Sequence, residues 1–212
     1  MGPDLKLIET ILWEDGNFFL LDLHLARLSG SAGYFDFQLE KEALADALSQ
    51  ESSGFFPGKK YKTRLLLESS GSFSISSGEL DETPDTPVKI TLSDKYTDRS
   101  DTFLYHKTTN RELYDRELKR HREKGFFDVI FMNRQAEITE GAMTNLIALS
   151  DGEYLTPPVA CGVLPGVYRE HLLAGSEMDI KEKVLYIEDL QNAKRLFICN
   201  SVRKLLPAEL CL

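Results

Sequence analysis

Residues 102–125 read TFLYHKTTNRELYDRELKRHREKG, and this stretch sets the organisation of the chain. Asn110 to Lys124 is densely charged and predicts a solvated helix. Gly125 closes it, since glycine takes the left-handed conformation that ends helices at little cost. Just upstream, Ser93 to Asp101 is polar and without periodicity, which predicts a linker. Linker and helix together predict two lobes, 1–96 and 97–212, each of roughly 100 residues, an ordinary domain size.

Working back from this stretch, Val88 to Leu92, Ser72 to Ser76 and Lys60 to Glu68 read as strands separated by Ser-Gly and proline-containing turns. Leu39 to Ser49 carries Ala43, Leu44, Ala47 and Leu48 at helical spacing. Leu5 to Trp13 is an apolar-rich run, Asp15-Gly16 a hairpin-turn pair and Phe18 to Leu21 the return strand. Asp22 reads as the N-cap of a helix through His24, Leu25, Arg27 and Leu28. Working forward, Phe127 to Met132, Asn145 to Leu149 and Glu153 to Thr156 read as strands, with turns at Asn133-Arg134-Gln135 and Asp151-Gly152. Gly166 to Ala174 reads as a helix, and Lys183 to Ile187 and Arg195 to Cys199 as strands. Both lobes mix helices with strands, so the fold class is α/β (α+β).

Composition narrows the function. Of 212 residues, 42% are hydrophobic and 28% charged, enough apolar material for a sizeable core, which excludes a disordered or collagen-like chain. Lys plus Arg number 25 against 34 Asp plus Glu, a net charge of −9, which argues against nucleic-acid or anionic-membrane partners while leaving room for a local basic pocket. The three cysteines, Cys161, Cys199 and Cys211, are odd in number and lack metal-ligand spacing. Neither a disulfide framework nor a metal site is expected, and a reducing cytoplasm fits best. No apolar run approaches a membrane span, and MGPDLKLIET lacks the basic and apolar regions of a secretion signal. The chain enters a strand-like run almost at once, which reads as a domain boundary.

Several residues have chemistry to offer, each with a plainer alternative. Lys107 in YHKTTNR is a lysine able to form a Schiff base with a carbonyl, or an exposed loop lysine. Arg27 in HLARL shares a helix face with His24 and could fork onto a phosphate or carboxylate, or lie on an amphipathic surface. Glu140 in ITEGAMTNL is one acid among small and apolar neighbours, either a turn residue or a buried partner for a cation, with Thr144 and Asn145 placed to orient it. Leu164-Pro165-Gly166 leads into a helix whose first amides, at Val167 and Tyr168, could bind an anion, or is an ordinary loop-to-helix junction. Asn200-Ser201 follows an apolar strand and offers donors to an anion, or makes a simple turn. No G-x-x-x-x-G-K-[ST] or G-x-G-x-x-G occurs, so nucleotide binding is not indicated.

The order of these segments is more specific than any one of them. HLARL, HKTTNR, ITEGAMTNL, GVLPGVYRE and CNSVR, taken in sequence, resemble the fold-type IV pyridoxal-phosphate enzymes over nearly the whole chain. That family includes branched-chain and D-amino acid aminotransferases and 4-amino-4-deoxychorismate lyases. LIET, HLARL, LYHKTT and NSVR look most like the lyase-type domains, found alone or fused after an aminodeoxychorismate synthase component. The resemblance implies a small N-terminal α/β lobe and a larger C-terminal lobe built on a mixed sheet or pseudo-barrel. It implies pyridoxal 5'-phosphate as cofactor, Lys107 as its covalent anchor and proton-transfer base, and Arg27 with the amides of Val167 and Tyr168 beyond Gly166 on its phosphate. Glu140 would face the pyridine nitrogen, supported by Thr144 and Asn145. Asn200 and Ser201 would lie near the phosphate or the substrate carboxylate, and Arg64 in KTRLLL is a candidate carboxylate partner.

Two departures concern the substrate side. Many relatives carry a further strand and loop before the segment equivalent to LIET, and an arginine shortly after its Glu-Thr pair, where this chain reads Ile11-Leu12-Trp13. The expected activity is a lyase acting on 4-amino-4-deoxychorismate, a small-molecule substrate, in a cytoplasmic homodimer. The alternatives are a branched-chain or D-amino acid aminotransferase, and a partner-dependent fragment of a fused synthase.

Overall fold

The computed structural model describes residues 5–80, 84, 87–175 and 178–212. The chain divides into two compact units, Met1–Glu82 with His106–Asn110, and Thr83–Tyr105 with Arg111–Leu212. The boundary therefore differs from the expected 96/97. The segment taken as the end of the first lobe and the start of a linker is a strand of the second unit, and the Lys107 segment returns to the first.

The first unit is an antiparallel four-stranded sheet with two helices. Strand β1 (Leu7–Glu14) turns through Asp15 and Gly16, both at positive φ, into β2 (Asn17–Phe18). Helix α1 (Leu21–Phe35) follows, then α2 (Lys41–Ser52), β3 (Tyr61–Leu67) and β4 (Phe73–Glu79), giving the order β2-β1-β3-β4. The return strand is only two residues long, because Leu20 turns left-handed (φ 53) and starts α1 two residues early. Asp22 consequently sits inside the first turn and is not the N-cap. The helix also runs past the expected end, through Gly30 and Gly33. Each glycine costs about 1 kcal/mol in a helix, but Leu28, Ala32 and Phe35 bury one stripe and repay it.

The second unit is an eight-stranded mixed sheet. Its strands are β5 (Val88–Thr97), β6 (Asp128–Asn133), β7 (Ile138–Gly141), β8 (Asn145–Ser150), β9 (Glu153–Thr156), β10 (Ile180–Glu182), β11 (Arg195–Asn200) and β12 (Lys204–Leu210). Helices α3 (Glu112–Arg122), α4 (Val167–Leu173) and α5 (Ile187–Asn192) intervene. The order is β10-β9-β8-β11-β12-β5-β6-β7, with β12-β5 and β5-β6 parallel. A short turn joins β7 to β8, so the edge of the sheet returns to its middle and the sheet curls. Val88, Ile90, Ile130, Ile138, Leu146, Leu196, Ile198 and Leu206 fill one core, and Val129 and Phe131 face Leu118 of α3 on the other side of β6. Strands buried on both faces carry continuous apolar runs, which is why β6 and β11 read so clearly.

Two expectations are corrected here, and two strands were not expected. Ser93 to Thr97 continues β5 across a register shift between Leu92 and Tyr96, where Ser93 turns its hydroxyl to Glu117 on α3 (3.2 Å). The shift breaks the period and made the segment look like linker. Strand β7 shows no alternation because its polar side chains are buried and bonded, Thr139 to the Phe131 carbonyl at 3.0 Å among them. The strand expected over 183–187 lies earlier, at β10, and Ile187 onward is helical. Strand β12 was unread because Pro207 interrupts it, yet pairing with β5 begins only at Ala208, past the proline. Among the described residues, no helix is long and apolar enough to cross a membrane.

Candidate active site

In the first unit, a lone carboxylate lies in the apolar run of β1. Glu9, 2% exposed, accepts hydrogen bonds from Arg27 Nε (2.9 Å) and Nη2 (2.7 Å), and His24 Nδ1 lies 2.6 Å from it. His24 and Arg27 are three apart on α1, so both reach the strand. Burial raises the Glu9 pKa, but the Arg27 charge and the hydrogen bonds from His24 and Arg27 outweigh it and bring it down to about 2. Burial lowers the His24 pKa, and the charges of Arg27 and Lys107 push the same way against Glu9. His24 is therefore neutral at pH 7, and the hydrogen-bond network assigns its proton to Nδ1. Its Nε2 is buried with no hydrogen-bond partner.

Lys107 is held at the edge of β1. The Ile8 N–H donates to its carbonyl (2.8 Å), the Thr109 N–H donates to Lys6 (2.9 Å), and Leu7 bridges Thr108. Next to it, His106 Nδ1 lies 2.9 Å from the Ser31 hydroxyl, with its ring against Tyr34 and Phe35 at 4.6 and 4.8 Å. The lysine is half-buried, and its charge is felt at His24, so Lys107, His24, Glu9 and Arg27 form one electrostatic group. Arg64 is exposed on β3 opposite Thr10, one residue from the partner of Glu9. Alternation along the strand puts it on the other face of the sheet from Glu9.

In the second unit, Glu140 is buried on β7. Its carboxylate accepts Asn145 Nδ2 (3.1 Å) and the Tyr114 hydroxyl (3.3 Å). Burial, and then the Glu140 charge, raise the Tyr114 pKa well above its ordinary value, so the phenol stays protonated and donates. Asn145 Nδ2 also reaches the Leu164 carbonyl (3.1 Å), tying Glu140 to the loop before α4. Gly166 is the N-cap of α4, and no side chain caps that helix start. A Cβ on Gly166 would collide with Asn145 Oδ1, so only glycine lets loop and asparagine meet. Val167 and Tyr168, the next two residues, are buried. Thr144 donates to Asp128 (2.7 Å), not to Glu140. Asn200 is committed at both ends. Its Nδ2 reaches the Met143 carbonyl (3.3 Å), and its Oδ1 accepts the N–H groups of Val202 and Arg203, closing the turn between β11 and β12 at buried Ser201.

The structure groups Lys107 with Arg27 in one unit, where the sequence reading divided them between two lobes, and groups Glu140, Asn145 and Gly166 in the other. The sequence reading missed Glu9, Tyr114 and Asp128. Glu9 had a visible signal, a single carboxylate in LIETILW, since a charge in an apolar strand must be paired. Tyr114 had a weaker one: it lies four residues before Leu118, on the inner stripe of α3.

Residues 6–211 match the family model described as amino-transferase class IV. A solved structure of a provisionally named amino-acid aminotransferase from Mesorhizobium loti is 36% identical, covers 98% of this chain and 100% of its own, and superposes with a TM-score of 0.91. A provisionally named aminodeoxychorismate lyase of Schizosaccharomyces pombe is 26% identical over 94% of this chain and 87% of its own length. A provisionally named branched-chain-amino-acid aminotransferase of Thermotoga maritima is 24% identical over 88% of this chain and 70% of its own.

Proposed function

Because the chain belongs to the class IV aminotransferase family, we propose that it is a lyase converting 4-amino-4-deoxychorismate to 4-aminobenzoate and pyruvate, a step of folate biosynthesis. The observation that carries this reading is the likeness to the Schizosaccharomyces pombe lyase along nearly the full length of both chains. The runner-up is an amino-acid aminotransferase, favoured by the 36% identity to the Mesorhizobium loti protein.

Pyridoxal phosphate is the family's cofactor. The residues present fit it in three ways. The start of α4 carries no side-chain cap, a guanidinium is held in fixed orientation at Arg27, and a buried carboxylate is held at Glu140. When bound, the cofactor supplies an aldehyde carbon and an electron-accepting ring.

This chain's residues then divide the work. Lys107 would hold the cofactor at that aldehyde carbon, where a substrate amine can be taken up, and its Nζ would serve as the base for the proton on the amine-bearing carbon. Glu140 would hold a proton on the ring nitrogen, which strengthens the ring's pull on electrons. Arg27 and the amides at the start of α4 would be the groups for the phosphate. In the lyase, loss of the enolpyruvyl group as pyruvate leaves an aromatic product. In the aminotransferase, Lys107 would serve instead to return that proton, the cofactor supplying the carbon that takes it up. Arg64 is the proposed partner of a substrate carboxylate, and a homodimer is the proposed assembly.

Two experiments test this. Borohydride reduction with bound pyridoxal phosphate should label Lys107, and a label on Lys95 or Lys119 would overturn its assignment. Incubation with aminodeoxychorismate should release pyruvate and 4-aminobenzoate without a keto acid. Conversion of the cofactor to its amine form by leucine or D-alanine, regeneration by 2-oxoglutarate and no pyruvate would replace the lyase with the aminotransferase.

A further inference from the structure

The four residues between Glu140 and Asn145, Gly141-Ala142-Met143-Thr144, make a turn whose polar groups are held from three directions. The Gly141 N–H donates to the Thr144 carbonyl (2.7 Å), closing the turn on itself. The Ala142 N–H donates to Val129 (3.0 Å), and Arg111 Nη2 donates to the Ala142 carbonyl (2.8 Å). Asn200 Nδ2 reaches the Met143 carbonyl (3.3 Å). Beneath the turn lies Asp128, the first residue of β6, fully buried. Its Oδ2 accepts the Thr144 hydroxyl (2.7 Å) and the Met143 N–H (3.2 Å), and its Oδ1 accepts the Val129 N–H (2.8 Å). A Cβ on Gly141 would run into Asp128 Oδ2 and the Thr144 hydroxyl, so the acid fills the space that the glycine leaves.

A buried carboxylate is costly, and is kept only where its donors are fixed. Here the donors belong to the one segment that sets the spacing between Glu140 and Asn145, whose side chains meet at 3.1 Å. We propose that Asp128 is a positioning residue for the cofactor ring. Through Met143 and Thr144 it fixes the turn, the turn fixes Glu140 against Asn145, and that contact aims the Glu140 carboxylate. The proposal rests on Glu140 being the partner of the ring nitrogen. Asp128 itself touches neither cofactor nor substrate.

A mere turn-stabilising role would lower thermal stability and leave the ring untouched, so the test reads the ring. Bound pyridoxal phosphate has a visible absorbance band whose pH midpoint depends on the proton at the ring nitrogen. The midpoint is measured for the holoenzyme and for Glu140→Gln, Asp128→Asn, Thr144→Val and Thr144→Ser. Asn at 128 turns an amide N–H toward donors, Val removes the hydroxyl, and Ser keeps it. The expected result is a midpoint shift in Asp128→Asn and Thr144→Val in the same direction as in Glu140→Gln, with Thr144→Ser at the wild-type value. Combined with Glu140→Gln, neither variant should shift the midpoint further, because their effect passes through that carboxylate. Thr144→Val carries the test should Asp128→Asn fail to fold. No shift in either variant, or a full further shift in the Glu140→Gln background, would overturn the positioning role and leave the Glu140 reading intact. A silent Glu140→Gln would overturn both.

Discussion

Glu9 and Arg27 show how much one buried pair decides. Arg27 is the proposed phosphate clamp, and Glu9 fixes its guanidinium from the Nε side. An arginine–phosphate pair is worth about 1.5–3 kcal/mol, so Arg27→Ala should weaken pyridoxal phosphate roughly ten- to a hundred-fold while weakening pyridoxal little. Equal weakening of both, measured by titration, would show that Arg27 does not touch the phosphate. Glu9 also makes stability depend on pH. Its folded pKa of about 2 lies below the ordinary 4.5 of the free carboxyl, so the ionised acid stabilises the fold fully above about pH 4.5. That stabilisation fades as pH falls through the window toward about 2. The gap amounts to something on the order of 3 kcal/mol. In urea unfolding, Glu9→Gln should therefore be less stable than wild type at neutral pH, and the difference should shrink through that window. A difference independent of pH would mean Glu9 acts through packing alone. At this scale the sequence named Lys107, Arg27, Glu140 and Asn145 because each sits in a short motif of fixed order. It left out Glu9, Tyr114 and Asp128, whose partners are 15 to 26 residues away and meet only after folding.

Elements were legible where burial imposed a period. Strands β6, β8 and β11 read from apolar runs, and the start of α4 read from Leu-Pro-Gly. Where bonded polar groups or a bulge replaced apolar ones, as in β7 and the second half of β5, the period vanished and so did the reading. The start of α4 also carries a prediction. Gly166 faces Asn145 Oδ1 so closely that an added methyl group must displace the asparagine, and Asn145 is what ties Glu140 to this loop. Gly166→Ala should cost about 1–3 kcal/mol of stability, the usual range for overpacking, and should weaken pyridoxal phosphate as well. Gly16→Ala, at a hairpin with open space around it but positive φ, should lower stability without altering cofactor affinity. Thermal unfolding and cofactor titration of the two variants separate the cases, and unchanged affinity in Gly166→Ala would detach the loop from the cofactor.

At the scale of the molecule, the division into two units was legible and its border was not, because the border does not follow the chain. Strand β5 precedes the Lys107 segment in sequence, yet it lies inside the second unit's sheet, between β12 and β6. Removing it would split eight strands into a group of five and a group of two. It would also take Val88 and Ile90, both buried in the core of that unit, out of that core. Burying side chains of this size contributes about 1.5–3 kcal/mol each, against a total stability of roughly 5–15 kcal/mol for a whole domain. The pairing of β5 with both neighbours would be lost as well. A fragment cut at the border the sequence suggested, 97–212, should therefore show no cooperative thermal transition by circular dichroism. A fragment that keeps β5, 87–212, should show one. The two differ by ten residues, so a length effect cannot account for the contrast. A sharp transition in the shorter fragment would mean that the sheet closes without its central strand, and that β5 belongs energetically to the first unit after all.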